Sequence, residues 1–448
     1  MATWANHTLK AAMQTAFGTA ATTGFEALLC DKPRVQFATE VEELDLLTGQ
    51  VGAAPERVIG RRSGTLAFTI PLEGFVNPYD PTAENPGGAP VGNDVIPPWL
   101  ALVANAMGSN MSAADTNANF WKGTHISCSE YTAGGVASAT STSIVLDNAG
   151  ASNKVLVGEA VLTALSATSV VPQWGWVKTK AVQTLTLFEA SVNTVNNAAG
   201  NVYGTATAYV SSEVTSTKAM TFRWTGNDAT LCYILKDCIC ESFKITWESG
   251  ETPTVEFNFK FYDYSMDTAA GGLTVPDAHL RIPQIIGTKN GRATIAGTAT
   301  CGLEACTFEW KATIVETKCH GTSSGVSGVS IIQPRVVASF SIPHDTGDTV
   351  YDDAGVAAVL GSHVWQSALE LGTRKSVGVY VGTQVGKMFA LLIPSGLVVE
   401  TPAVADRDGV VAYTLTIEAA SYTADTAADT AETSADSPLD SLGRVALG

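Results

Sequence analysis

A serine flanked by glycines is the first candidate for chemistry in this chain. Gly321-Thr322-Ser323-Ser324-Gly325 matches the GxSxG pattern that sets a nucleophilic serine on a tight strand-to-helix turn. It sits in a plain Ser/Gly stretch, HGTSSGVSGV, with no helix-forming run behind it, and so reads as a loop. The acids of HDTGDTVYDDAG (His344 to Gly355), with Asp406 and Asp408 of ADRDG, are oxygen ligands of the kind calcium takes. Neither run has the spaced ligands of an EF-hand, which favours solvated loops. The six histidines (His7, His125, His279, His320, His344, His363) are scattered, and no two stand at i, i+4. The eight cysteines (Cys30, Cys128, Cys232, Cys238, Cys240, Cys301, Cys306, Cys319) include no zinc-type CxxC pair. Without a secretion signal they read as reduced, buried thiols. Trp224 and Trp247 could stack a base or a sugar, but packing in an apolar core is the simpler reading. No phosphate-binding glycine loop is present. The residues therefore predict no catalytic site, no cofactor and no metal.

The elements around these residues carry more information. The run Thr254 to Phe261, TVEFNFKF, alternates Val255, Phe257, Phe259 and Phe261 with Thr254, Glu256, Asn258 and Lys260. Period-two alternation predicts a strand with one apolar and one polar face. SFKITWE precedes it, and Gly250 and Pro253 supply the turn of a hairpin. The device recurs. In VAYTLTIE, Val411, Tyr413, Leu415 and Ile417 alternate with Ala412, Thr414, Thr416 and Glu418. Trp224-Thr225-Gly226 matches Tyr380-Val381-Gly382, and Leu66 to Pro71 matches Ala338 to Pro343 through a shared Phe-Thr/Ser-Ile-Pro. Each half also carries an amphipathic helix candidate with an early Trp and a final Gly, Pro97 to Gly108 and Ser362 to Gly372. The order strand, helix, strand, hairpin occurs twice, which predicts a duplicated domain.

Composition sets the bounds. A chain of 448 residues can bury two or three cores. Charged residues make up only 15%, against 45% hydrophobic, which suits a β-rich protein that covers its surface with copies of itself. The net charge of −17, with no basic run, argues against binding nucleic acid through its phosphates. The first residues lack the apolar core of a signal peptide, and no run approaches a membrane-spanning length.

In chain order, residues 1–121 read as the first part of one domain: an arm of weak helical character, a β-leaning stretch, the charged Glu40–Arg62 loop or hairpin extension, the strand Thr65–Phe75, the Pro/Gly-rich loop Asn77–Asn93 and the helix. Residues 122–216, rich in Thr, Ser, Ala and Val, read as a small independent β barrel or sandwich inserted into it. Residues 217–266 complete the domain, 267–275 form a linker and 276–424 make the second copy. The acidic, low-complexity tail 425–448 should be disordered unless a partner holds it.

The arm ending in FGTA, the strand ending in aromatic-x-Ile-Pro, the PPWLALVANAMG helix, the insert and above all CICESFKITWESGETPTVEFNFKF (Cys238 to Phe261) together resemble the major tail tube proteins of long-tailed bacteriophages. The likeness covers residues 1–265, and 276–424 mainly through the internal repeat. It implies a mainly β fold: duplicated tail-tube β-barrel/sandwich domains, each with a short flanking helix, plus the inserted domain. It further implies a structural virion protein, assembled in the host cytoplasm, whose rings stack into a hollow tail tube for DNA ejection. Its partners would be itself, the tape measure protein and other tail proteins, with genomic DNA passing through unbound and no membrane involved. Single-domain members of that family close a ring with six copies, so two domains per chain predict a homotrimeric, pseudo-hexameric ring. The runner-up is a true hexamer with the second domain outside. In a ring-closing sheet the polar faces become the duct wall, which makes Thr254, Glu256, Asn258, Lys260, Thr414, Thr416 and Glu418 the candidate lumen-facing residues, on a wall expected to be net negative. The N-terminal arm, Glu40–Arg62 and Asn77–Asn93 are the candidates for ring-to-ring contact. Two other readings remain: another virion structural or decoration protein, which would form no tubes, and an enzyme or carbohydrate-binding β-protein with the insert as its binding module.

Overall fold

The structure is a computed structural model. It describes residues 8–31, 33–44, 56–74, 97–107, the strands between 127 and 209, 219–225, 232–267, the strands between 292 and 299, 303–319, 324–343, the short strands between 349 and 359, 374–382, 388–400, 403–407, 410–420 and 442–447. The first half supplies β1 (Thr8–Met13), β2 (Glu26–Leu28), β3 (Arg34–Leu44), β4 (Glu56–Pro71) and the helix α1 (Pro98–Ala106). The insert follows as β5 (Ser127–Cys128), β6 (Val136–Ala139), β7 (Ser143–Leu146), β8 (Ala160–Ala164), β9 (Gln173–Ala181), β10 (Thr184–Leu187), β11 (Asn201–Gly204) and β12 (Ala206–Tyr209). The first copy then closes with β13 (Met220–Thr225), β14 (Cys232–Glu248), β15 (Thr254–Phe261) and β16 (Asp263–Asp267). The second copy comprises β17 (Arg292–Ile295), β18 (Thr298–Ala299), β19 (Ala305–Lys318), β20 (Val326–Pro343), β21 (Thr349–Tyr351), β22 (Ala357–Val359), β23 (Lys375–Val381), β24 (Phe389–Val398), β25 (Ala403–Arg407) and β26 (Val410–Ala419). β27 (Arg444–Leu447) ends the chain.

The alternation in TVEFNFKF does what its period requires. Val255, Phe257, Phe259 and Phe261 are buried, and the polar residues between them are half-exposed. The duplication is written in the strand pairing. β15 lies beside β4 with Phe257 opposite Phe68 and Val255 opposite Ile70. β26 lies beside β20 with Leu415 opposite Phe340 and Tyr413 opposite Ile342, the same register once the two Phe-x-Ile-Pro strands are superposed. The correspondence extends through the other ladders. Trp224 faces Tyr233 across β13 and β14, and Tyr380 faces Ala390 across β23 and β24. Leu9 faces Trp224 from β1, and Arg292 faces Tyr380 from β17. The long hairpins β3–β4 and β19–β20 even share a bulge, between Thr39 and Val41 in one and Lys311 and Thr313 in the other. Two differences stand out. The single long β14 is replaced in the second copy by β24 and β25, which pair with β26 in registers that differ by two residues. The edge of β14 that β16 occupies corresponds to the edge of β24 that β27 occupies.

The copies join edge to edge. β14 pairs with β19, placing Phe243 opposite Trp310 and Ile245 opposite Phe308. One aromatic row crosses the seam: Phe68 to Phe257 at 5.5 Å, Phe257 to Phe243 at 6.0 Å, Phe243 to Trp310 at 5.7 Å between ring centroids. The core is therefore continuous across both copies, and strands β3, β4, β15, β14, β19, β20 and β26 form one sheet with one open face.

Several expectations are corrected. The N-terminal arm is not helical: β1 pairs with β13 and β2 and buries Leu9 and Ala11, so small residues at alternate positions have made a strand. Its described residues belong to their own domain. The described ends of Glu40–Arg62 form a hairpin extension, as Val41–Leu44 of β3 pair with Glu56–Ile59 of β4, and residues 45–55 lie outside the described residues. α1 exists but is not amphipathic. All nine of its residues are buried, as an all-round apolar helix requires, and Trp99 Nε1 donates to the Glu73 carbonyl at 2.9 Å. The second helix candidate and the Asn77–Asn93 loop lie outside the described residues. The insert is not independent. Its six-stranded sheet, β11-β8-β9-β10-β7-β6, packs Trp174 and Trp176 against Tyr380, Met388, Ala390 and Leu392 of the second copy. The tail is not wholly unstructured. β27 is sandwiched between β12 of the insert and β24 of the second copy, with all four residues buried, because Val445, Ala446 and Leu447 are an apolar run that both edges can accept. Arg444 Nη1 donates to the Gly158 carbonyl at 3.1 Å. Gly443 admits the tail here: a Cβ would stand 3.0 Å from Phe308 and 3.1 Å from Val336.

Candidate functional site

The open face of the joined sheet holds the candidate residues. Antiparallel register sorts them into rows, because directly opposed residues share a face. One row is Thr254, Thr246, Thr307, Ser339 and Thr416, a hydroxyl band that runs from the first copy to the second. All five are half-exposed. The next row is Glu256, Lys244, Glu309, Val337 and Glu418, charged and alternating in sign until the valine. Beyond it stand Asn258, Ser242, Lys311 and Arg335. Thr414 is exposed at the other margin, opposite Ser341. Six of the seven candidates thus lie on one open face spanning both copies.

Local pairs neutralise much of the charge. Arg34 reaches Glu256 at 3.7 Å, and Asn258 Nδ2 donates to Ser242 Oγ at 3.3 Å. Arg335 clasps Glu418 with two bonds, Nε to Oε1 at 2.5 Å and Nη2 to Oε2 at 2.8 Å. Exposed pairs of this kind add little stability but hold their charges together. Acids (Glu248, Glu256, Glu304, Glu309, Glu418) stand among nearly as many bases (Arg34, Lys244, Lys311, Arg335), so the described part of the face is closer to neutral than the chain's composition suggests.

Lys260 is the exception. It starts on the same face but is drawn into a half-buried cluster at the seam, where Nζ meets Glu316 Oε1 of β19 at 2.9 Å. Arg61 Nη1 of β4 meets Glu316 Oε2 at 2.6 Å, and both cations lie over the Tyr262 ring, at 4.9 Å for Arg61 and 5.4 Å for Lys260. The Arg61 hydrogen bond, with Lys260 second, holds the Glu316 carboxyl down to about 2 despite its partial burial. Nothing in the sequence spacing links Lys260 to Glu316, because the tie exists only once β14 and β19 pair. A depressed acid stabilises the fold above the ordinary carboxylate range and stops doing so as pH falls towards its folded value. Glu316→Gln should cost about 1.5–3 kcal/mol at neutral pH, the usual worth of charged hydrogen bonds. In urea titrations the gap between variant and wild type should close between pH of about 4.5 and 2; a gap that persists at pH 2 would contradict the assignment.

Among the described residues, the other chemical candidates do not come together. The GxSxG run lies in sequence between β19 and β20, which pair with each other, and its described residues are Ser324 and Gly325, the latter at φ 67°. Ser324 is buried and donates to the Val326 carbonyl at 3.1 Å, and Ser323 lies outside the described residues. Burial pushes the Cys30 and Cys306 thiols up to about 12, which leaves them poor nucleophiles. Trp247 is buried, and Trp224 stacks on Tyr233 at 5.6 Å. No group of potential metal ligands gathers among the described residues, where the His344–Gly355 run and Asp408 are mostly absent. No protein-family model matches this chain, and no curated protein matches it either.

Proposed function

We propose that this chain is a structural virion protein whose two β domains serve as adjacent staves of a hollow phage tail tube. Three chains close each ring, the rings stack, and the tube conducts DNA into the host. One observation carries the reading: two copies of a domain, joined side by side through β14 and β19, present a single open polar face over a shared core. A sheet that continues from copy to copy has no reason to stop at the chain's end, and closure removes its free edges. The wall so formed is lined by hydroxyls and by charges of both signs, two of which, Glu256 and Glu418, are held by arginines. DNA carries one charge per roughly 1.7 Å of axis and binds where cations cluster unpaired. A face whose lysines and arginines are interspersed with glutamates gathers no cluster of cations for it to grip, and the hydroxyl band keeps the wall wetted.

Electron microscopy of the purified protein tests this. Hollow tubes or stacked rings are expected. Compact particles that never form tubes would favour a decoration protein, and saturable glycan binding without assembly would favour a carbohydrate-binding one.

A further inference from the structure

The seam inside the chain specifies the seam between chains. Among the described residues, β3 pairs only with β4, and β25 only with β26. Under the repeat, β3 is the counterpart of β19, since Val35 lies opposite Leu66 as Phe308 lies opposite Ala338. β25 is the counterpart of the end of β14, since Val404 lies opposite Tyr413 as Ile245 lies opposite Val255. Within the chain those counterparts are bonded to each other; at the chain's two outer margins no described strand pairs with them.

We infer that β25 of one chain pairs antiparallel with β3 of the next, in the register of the internal seam. Lys244–Glu309, Ile245–Phe308 and Thr246–Thr307 inside the chain become Ala403–Gln36, Val404–Val35 and Ala405–Arg34 between chains. Exposed apolar side chains mark both margins. Phe37 is 41% exposed, whereas its counterpart Trp310, covered by β14, is 0% exposed. Val399, in the break between β24 and β25, is 40% exposed. The contact is heterologous, edge against a different edge, so it propagates and closes only as a ring. The ionic tie is not repeated, because the positions of Arg61, Lys260 and Glu316 are held by Gln333, Glu418 and Glu43. The seam between chains is thus the weaker, and chains fold before they join.

The proposal rests on the self-assembly reading above, but its test separates the two. Directly opposed residues in an antiparallel pair have Cβ atoms about 4.5–5.5 Å apart, close to disulfide reach. Gln36→Cys with Ala403→Cys, mildly oxidised after assembly, should give covalent dimers and closed trimers. Gln36→Cys with Asp406→Cys, about 10 Å out of register, should stay monomeric, and Lys244→Cys with Glu309→Cys should link within one chain and so report folding. In the unsubstituted protein, the amides of residues 34–37 and 403–406 should gain hydrogen-exchange protection on assembly. Assembled particles without the 36–403 link, equal linkage from the offset pair, or unprotected edges would overturn the ladder. Linked trimers that never stack into hollow tubes would keep the ladder and refute the tube.

Discussion

Trp310→Ala should unfold much of the protein's cooperative core, whereas Phe37→Ala should leave the isolated chain nearly intact. The two residues occupy the same place in the repeat, on the first strand of the β3–β4 and β19–β20 hairpins. Trp310 is fully buried against Phe243 at the seam, stacked at 5.7 Å with 15° between ring planes. Removing a buried tryptophan costs about 3–5 kcal/mol through lost transfer energy and the cavity left behind. Phe37 touches Tyr233, Phe261 and Tyr264, with centroids 5.2, 5.9 and 4.7 Å away, but a large part of it faces outward. Its truncation should cost the monomer about 1 kcal/mol, the scale of aromatic pair contacts. Its larger effect should fall on assembly, because the ring edge loses its apolar anchor. Chemical denaturation of both variants, beside sedimentation of the same samples, reads the two effects separately. A Phe37→Ala protein that assembles normally would remove β3 from the interface.

Truncation after Ser441 should be nearly as damaging, although it removes only the end of a tail whose composition reads as disordered. Arg444 to Leu447 are all buried, and β27 is the strand that ties the insert's β12 to β24. Burying a Val or Leu side chain is worth about 1.5–3 kcal/mol each, and both β12 and β24 would lose a paired edge. The insert should then become protease-sensitive while the β14–β15 hairpin stays protected. Limited proteolysis with mass spectrometry distinguishes this from global unfolding. An insert that resists cleavage in the truncated chain would show that Trp174 and Trp176 alone hold it.

What could be read from the chain, and what could not, follows from where the deciding interaction lies. The alternation of Val255, Phe257, Phe259 and Phe261 is local, so strand, face and hairpin were visible in the residues themselves. The repeat was visible because Phe-Thr/Ser-Ile-Pro and the hairpins recur in order, and the strand registers follow it. The β14–β19 seam was not, because edge pairing depends on backbone groups that every residue carries. Alternation alone places Lys260 on the open face for the same reason, as its partner Glu316 lies on a strand of the other copy. For α1 the early Trp and final Gly suggest an amphipathic helix, but its nearly unbroken apolar run, PWLALVANA, signals burial on every side. In the tail the average composition points to disorder and masks the short apolar run after Gly443.

A reconstruction of the assembled particle, computed without imposed symmetry, tests the central claim most directly. It should show six β domains around a hollow lumen contributed by three chains, with seams alternating between β14–β19 within a chain and β25–β3 between chains. The hydroxyl band of Thr254, Thr246, Thr307, Ser339 and Thr416 should line the lumen. Six chains per ring, a second copy lying outside the wall, or a hydroxyl band facing outward would contradict it.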